Sequence, residues 1–507
     1  MATVCDMKTA KSMLRFRLFT LVTAVCLHGG SVMEASTSNV KTFGAKGDTK
    51  LICDGRVDSG STMLGSLSYE FVPADHGKAI LVIGAGPSGS NLVTSIVSVI
   101  DPAHVTLATP AAVTVQSAAV YWGTDDSAAI SKATRAISNS GGTLFFPIGT
   151  YLNQATLRLS SSTTVEGEGQ NSWLLGDPGA VPLVQAVNVH DVNISSMRLS
   201  NLHTKRGAEY GYGTVQFNQV TDSSVVGAWI SYGRPAIQLS HVERVRIDHN
   251  EIEAARDFAI SSSMSNAVDI LRNTIYNSTT TGVLGPPHDI NLEDTDDSVV
   301  DGNQINDGGG FTEAGASCLQ LYPNHNASVS NVRFSNNVCT KTSGSMLYGF
   351  TGAGPGAYRM VQFVTNRLIG YRNGVWLSGA RSNTLSGVNI SRNVVLGAEG
   401  YGIGIGGADG ESIAKVEITF NDIHLSSQMD GSAFGIHANR LRDILVYGNT
   451  ITHFGDGAIQ LVGVSDSVIC FNRSLDQRTD IKGTGIQVGQ WNPSMISANN
   501  RFENNTF

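Results

Sequence analysis

The stretch "AIQLSHVERVRIDHNEI", residues 236–252, decides the fold. Its second half, Val245 to Ile252, follows the pattern apolar-x-apolar-x-x-Asn-x-apolar. The pattern returns in "VDILRNTI" (268–275), "VQFVTNRL", "VNISRNVV", "VEITFNDI" and "ILVYGNTI". Its Asn falls at 250, 273, 303, 337, 366, 393, 421, 449, 472 and 500, in steps of 23, 30, 34, 29, 27, 28, 28, 23 and 28 residues. Steps of such uneven length fit coils whose loops vary while their strands do not. A second strand precedes each motif, as in "AIQL" (236), "AISS" (259), "CLQL" (318), "GVWL" (374) and "GIHA" (435). In the short coils its Ile stands 13 residues before the Asn, as in Ile237 to Asn250 and Ile436 to Asn449. Two or three short strands per turn, each alternating apolar and polar, predict an all-β solenoid, a parallel β-helix. The recurring Asn suits a turn, where it tolerates a left-handed backbone and can bond its counterpart one coil away.

Composition agrees. The 56 Gly against 13 Pro, with abundant Asn, Ser, Thr and Val, favour many short strands over long helices. A formal net charge of -8 offers no general attraction to phosphate backbones, which argues against nucleic acid as a partner. At the N-terminus, Arg15 and Arg17, an apolar run from Leu18 to Leu27 and small residues near Ala35 predict a signal peptide over 1–35 and a secreted or periplasmic protein. That run is too short to span a bilayer, so membrane insertion is not expected. The remaining cysteines, Cys53, Cys318, Cys339 and Cys470, are too sparse for a disulfide framework and lack CxxC metal spacing.

An open β-helix end needs a cap. "GTDDSAAISKATRAISNSGG" (123–142) predicts a capping helix with Thr124 or Asp125 at its N-cap and Gly141 and Gly142 as its stop. Together "VKTFGAKGD" (40–48), "GTDDSAAI", "GGTLFFPIGTYL" and "LSSSTTVEGEG" resemble the start of the pectate-lyase-superfamily, or polygalacturonase-like, right-handed β-helix proteins. The resemblance implies a right-handed coil and a carbohydrate-active protein. The superfamily holds lyases, hydrolases, uronate epimerases and tailspike depolymerases, so fold does not choose the reaction.

In that family "FGAKGD" runs almost directly into "TDD". Here 74 residues separate Asp48 from Gly123. The expected organisation is therefore an N-terminal strand of the β-helix over 36–48, a small β-rich insertion over 49–122, and a capping helix with the β-helix over 123–507. Inside the insertion, "AILVIGAGPSGSN" (79–91) carries the glycines of a dinucleotide fingerprint. A nucleotide site needs a helix after them and an acid about 20 residues on. The sequence instead continues "NLVTSIVSVIDPAHVTLATP", which is strand-like, so the glycines are assigned to a turn.

Chemistry is expected in one anomalous coil. "DINLEDTDDSVVDGN" (289–303) aligns without gaps with the other short coils, yet Asp289 stands where they have Ala or Gly, and Glu293 and Asp294 follow. Stacking at about 4.8 Å per coil would bring Arg256, Asp257 and Ser261 to one side and Gln320, Tyr322 and His325 to the other. Tyr348, Trp376 and Arg381 continue the strip. The expected catalytic set is Asp289, Glu293, Asp294, Tyr322, His325, His288 and Arg256, with Asn291, Gln320, Tyr348, Trp376 and Arg381 binding substrate.

This inventory suits an acidic polysaccharide. Aromatic faces stack on pyranose rings, carboxylates move protons or hold Ca²⁺ (Asp289, Glu293, Asp294), and basic groups neutralise a uronate. β-Elimination is the leading expectation. Hydrolysis by two carboxylates, uronate C5-epimerisation ("PPHDINL", 286–292, resembles the "DPH" stretch of mannuronan epimerases, with Pro286 in place of their Asp) and a non-catalytic glycan adhesin stay open. The C-terminal "NNRFENNTF" offers no cap and leaves room for a homo-oligomer contact.

Overall fold

The structure, a computed structural model, describes residues 36–203, 211–278, 288–307, 316–324, 328–341, 348–352, 354, 356–378, 385–406, 414–426, 433–475, 484–489 and 497–507. The expected signal peptide, 1–35, lies outside them. From Leu157–Leu159 to Thr484–Gly489 the chain winds as a parallel β-helix of three sheets. One coil shows the plan: Phe434–Asn439 in the first sheet, Ile444–Tyr447 in the second and Thr450–Thr452 in the third. Each strand pairs in parallel with its equivalents one coil before and after.

Because the first-sheet strands from Ile237 to Ile459 pair without a register shift, like residues stack on like. In the first sheet Ile237, Ile260, Ile290, Leu319, Phe350, Val375, Ile403, Ile436 and Ile459 form one inward file, each 1% exposed or less. Burying each such side chain contributes about 1.5–3 kcal/mol, so the files supply the main apolar stabilisation. Phe334, Phe350 and Phe363 fill the middle of the core with ring centroids 4.6–6.2 Å apart.

The repeated Asn closes a second kind of file. Each Asn Oδ1 accepts from both the backbone N–H and the Nδ2 of the Asn one coil earlier, at 2.9–3.1 Å, from Asn250 through Asn472. The other Nδ2 hydrogen goes to a carbonyl of the preceding coil, as from Asn366 to Phe334. The sequence expectation needs two corrections here. The left-handed conformation belongs to the residue before the Asn, at His249, Arg272, Gly302, Thr365 and their equivalents, because the Asn side chain must point inward. The final partner of Asn472 is Asn505, three residues after Phe502 as Asn472 is after Ile469, and not Asn500. Asn500 instead caps Ser467 N–H.

Helix α1 (Ser127–Ile137) covers the N-terminal end, its Ile130, Ala133 and Ile137 joining the main core. Its N-cap is Asp126 rather than Thr124 or Asp125. The Asp126 carboxylate turns away from the helix to accept Lys46 and Gly47 N–H at 2.7 and 3.0 Å, while Asp48 accepts Thr124 N–H at 2.8 Å. The two halves of the motif, far apart in sequence, are thus rejoined in space. Residues between them form a closed six-stranded antiparallel barrel of strands from Lys50–Val57 to Val115–Gly123. Within it, Ala79–Val82 and Leu92–Asp101 are an antiparallel hairpin, and the glycine fingerprint is its turn, with Gly84 and Gly89 at positive φ. No helix follows them. The barrel docks through Leu81, Ala119 and Tyr121 on Leu152, Leu175 and Leu202 of the β-helix.

Cys318 and Cys339 form a disulfide inside one coil, a pairing that their sparse spacing did not suggest. At the other end of the molecule, Val488, Phe502 and Phe507 remain 43–54% exposed on the last described coils.

The Asn ladder should govern stability. Asn366→Ala leaves Asn337 N–H and Nδ2 and the Phe334 carbonyl buried without partners. A loss of about 2–5 kcal/mol is expected in equilibrium denaturation. An unchanged midpoint would show that the ladder is incidental.

Candidate functional site

The outward side of the first sheet carries a polar file in strict register. It runs Arg158, Gln185, Gln216, Gln238, Ser261, Asn291, Gln320, Thr351, Trp376, Gly404, His437, Gln460 and Gln487. At its ends the file is self-satisfied. Arg158 bonds Gln185, Gln185 bonds Gln216 at 2.7 Å and Gln216 bonds Gln238 at 2.9 Å. At the far end His437 bonds Gln460 at 2.6 Å and Gln460 bonds Gln487 at 3.3 Å. Between Ser261 and Gly404 the ladder is open: among the described residues no side-chain hydrogen bond joins neighbours in the file. Asn291 is 5% exposed, and its Oδ1 is buried without a hydrogen-bond partner. Buried polar atoms are rarely left so.

This opening lies where the sequence placed its site, and it has two walls. Two residues further along the strand, Glu293 stands opposite Tyr322 in register, both partly exposed. Glu293 accepts from Asn324 Nδ2, and Asp294 accepts Asn324 N–H at 2.6 Å, so Asn324 ties both carboxylates to the next coil. Three residues earlier runs the other wall: Phe258, His288, Ser317, Tyr348, Asn373, Tyr401 and Phe434. Its aromatics lean over the file. Tyr401 stacks on Trp376 at 5.6 Å and on His437 at 4.8 Å, at interplanar angles of 25° and 21°. Gly404 makes this possible, since a Cβ there would collide with the Trp376 ring.

Electrostatics differ along the trough. Burial pushes the His288 ring down to about 3, and its Nδ1 meets Ser317 Oγ at 2.6 Å, so it is a neutral, fixed imidazole. Burial also depresses His437, against the opposing hydrogen bond with Gln460. Tyr348 is raised by burial, with the Arg372 charge pulling the other way.

The structure thus gathers Asn291, Gln320, Trp376, Glu293, Tyr322, Tyr348 and His288, and corrects other expectations. Asp289 does not lie on the outward face: it is 1% exposed. It occupies the corner position held in other coils by Ala236, Cys318, Gly349 and Gly374. A Cβ on Gly349 would come 2.8 Å from Leu368 of the third sheet, and Cys318 crosses that corner to reach Cys339. The corner points inward, so small residues mark a space constraint there, which the gapless alignment could not reveal. Arg256 also departs from the strip: its guanidinium donates to the His203 carbonyl at 2.7 Å, two coils back. Asp257 is buried against Arg234. With Asp289 inside, the proposed Ca²⁺ set does not converge, and among the described residues no group of three or more His, Cys, Asp or Glu does. His325 and Arg381 lie outside the described residues. Sequence reading missed Tyr401, Arg372 and His437, the last of which stands in the same file as Trp376. Gly404 was the available signal, because the missing side chain leaves room for Tyr401 to stack on both Trp376 and His437.

The sequence profile of the family described as "Right handed beta helix region" matches residues 183–358 and 356–507. No curated protein matches the sequence. Among solved structures, the Dettilon tailspike protein superposes with a TM-score of 0.46 at 15% identity, over 72% of this chain and 66% of its own, so this chain spans just under two thirds of the tailspike. The Streptococcus pneumoniae surface adhesin PfbA gives 0.42 at 15% identity, over 76% and 95%. The exopolygalacturonase of Thermotoga maritima gives 0.41 at 14%, over 74% and 88%. At such identities the likeness is one of fold.

His288 also predicts a pH dependence. A histidine depressed from 6.5 to about 3 by folding stabilises the native state above the unfolded value and loses that contribution as pH falls from about 6.5 toward about 3. Denaturation midpoints should therefore fall across this window, and less steeply in His288→Gln. Equal slopes would contradict the buried neutral ring.

Proposed function

The chain belongs to the right-handed β-helix family, and on that footing we propose that it is a secreted carbohydrate-active enzyme that binds an acidic polysaccharide along the first-sheet trough and cleaves it by β-elimination. The observation that carries this reading is the opened polar file, floored by Asn291 and Gln320, flanked by Glu293–Tyr322 and closed at its far end by the Trp376–Tyr401–His437 stack. Extended sugar chains present alternating apolar faces and hydroxyl edges, which stacked rings and amide groups match. In this reading Tyr322 gives its phenol proton to Glu293 and as phenolate takes the C5 proton, the C4–O4 electron pair leaves with the departing sugar, whose O4 is protonated by water, and a C4=C5 double bond remains. Glu293 orients Tyr322, the Asn291 and Gln320 amides hydrogen-bond the uronate, and Arg372 supplies positive charge near Tyr348. The Cys318–Cys339 disulfide supports an oxidising compartment, in keeping with export.

A binding-only protein is the second reading. It is favoured by Asn324, which engages both outward carboxylates, and by the inward Asp289. Incubation with polygalacturonate and alginate separates the two. The lyase reading expects growth of the ultraviolet absorbance of an unsaturated product, about 10²-fold or more slower in Tyr322→Phe. Trp376→Ala should mainly raise KM. Reducing ends without that absorbance would overturn elimination in favour of hydrolysis, and binding without either signal would favour the adhesin.

A further inference from the structure

A second cluster lies on the third sheet, beside the docked barrel. Of five tryptophans, Trp122 is in the barrel core and Trp376 is in the trough. Trp173 and Trp229 stand two coils apart with Arg198 between them in register, both partly exposed. The Arg198 guanidinium lies 4.0 Å over the Trp173 ring. Trp173 Nε1 donates to Ser200 Oγ at 2.9 Å, and that hydroxyl meets Ser231 Oγ at 2.6 Å. The barrel's Tyr121 meets the Trp173 ring edge-on at 6.1 Å. Trp173 is therefore locked in place, while Trp229 forms the next step of the surface.

On the following coil Glu251 pairs with Trp229 and Glu253 with Ser231. Glu253 is partly buried, and burial holds its carboxyl above the usual carboxylate range despite the opposing Arg198 charge and a hydrogen bond from Asn277. Equivalent positions further along are Thr274 and Tyr276, then Gln304 and Asn306, residues that meet solvent without that cost. The fold thus tolerates neutral residues at these positions, yet here it keeps a half-buried carboxyl beside an aromatic plate.

We propose that this face is a second carbohydrate site, taking a neutral glycan at the junction of barrel and β-helix. Alternate residues on a strand are about 6.6 Å apart and successive coils about 4.8 Å, so one pyranose ring spans from the Trp229 indole to Glu253. The indole takes the apolar face of the ring, and Glu251 and Glu253 take its hydroxyls. The carboxylates of Glu251 and Glu253 disfavour a uronate here, where the Arg198 guanidinium is stacked over Trp173, whereas in the trough Asn324 engages Glu293 and Asp294 and the Arg372 charge lies near Tyr348. The site stands independently of any reaction there.

The test is titration of the full chain with neutral hexasaccharides of glucose, mannose, galactose and xylose, read by calorimetry and tryptophan fluorescence. At least one should bind, at least tenfold more weakly to Trp229→Ala and to Glu253→Gln and equally well to Trp376→Ala and Trp229→Phe. Oligogalacturonate should not compete. The proposal is overturned if none of the four binds, if binding survives both substitutions at Trp229 and Glu253, or if Trp376→Ala removes it. Circular dichroism of each variant and the retained binding of Trp229→Phe separate loss of the site from loss of the fold.

Discussion

The Asn ladder is the interaction on which the remaining structure depends. A parallel coil with loops of unequal length has no local reason to keep every strand in phase, and a one-residue slip would turn each apolar file to solvent. The ladder supplies that reason. Its Oδ1 accepts two hydrogen bonds and its Nδ2 donates two, so a residue arriving out of phase would leave buried groups unpaired on two coils at once. With the phase pinned at one corner, the inward Ile and Phe files and the outward polar file follow as consequences.

That coupling explains why the candidate site can be built from scattered residues. Asn291, Gln320 and Trp376 are 85 residues apart from first to last in sequence, yet stand in one line because their coils share a register. The opening of the outward ladder is local. Glutamines satisfy one another on both flanks, whereas among the described residues Ser261, Asn291 and Thr351 make no side-chain hydrogen bond to their neighbours in the file. A trough appears where the ladder is released, and aromatic stacking made possible by Gly404 closes its far end.

Much of the fold was legible in the sequence because the ladder constrains residue type at a fixed phase. The parallel β-helix, the capping helix and the inserted unit all follow from short motifs whose physical demands are specific. Even there, the last rung was misassigned, because "NNRFENNTF" offers several Asn and only the Phe502 to Asn505 spacing matches Ile469 to Asn472. The site was less legible. Alignment gives which residues share a coil position but not which way a corner faces, so Asp289 was placed outside although its small counterparts mark a crowded interior. Stacking across a missing side chain, as with Trp376, Tyr401 and His437, is invisible to a reading that looks one coil at a time.

The most direct measurement is a crystal structure of the Glu293→Gln variant soaked with oligogalacturonate. The account predicts sugar rings running along the β-helix axis between Asn291 and Trp376, with one face on the Trp376–Tyr401 stack and a hydroxyl on Asn291 Oδ1. Oligosaccharide bound on another face, with the trough left to solvent, would contradict it.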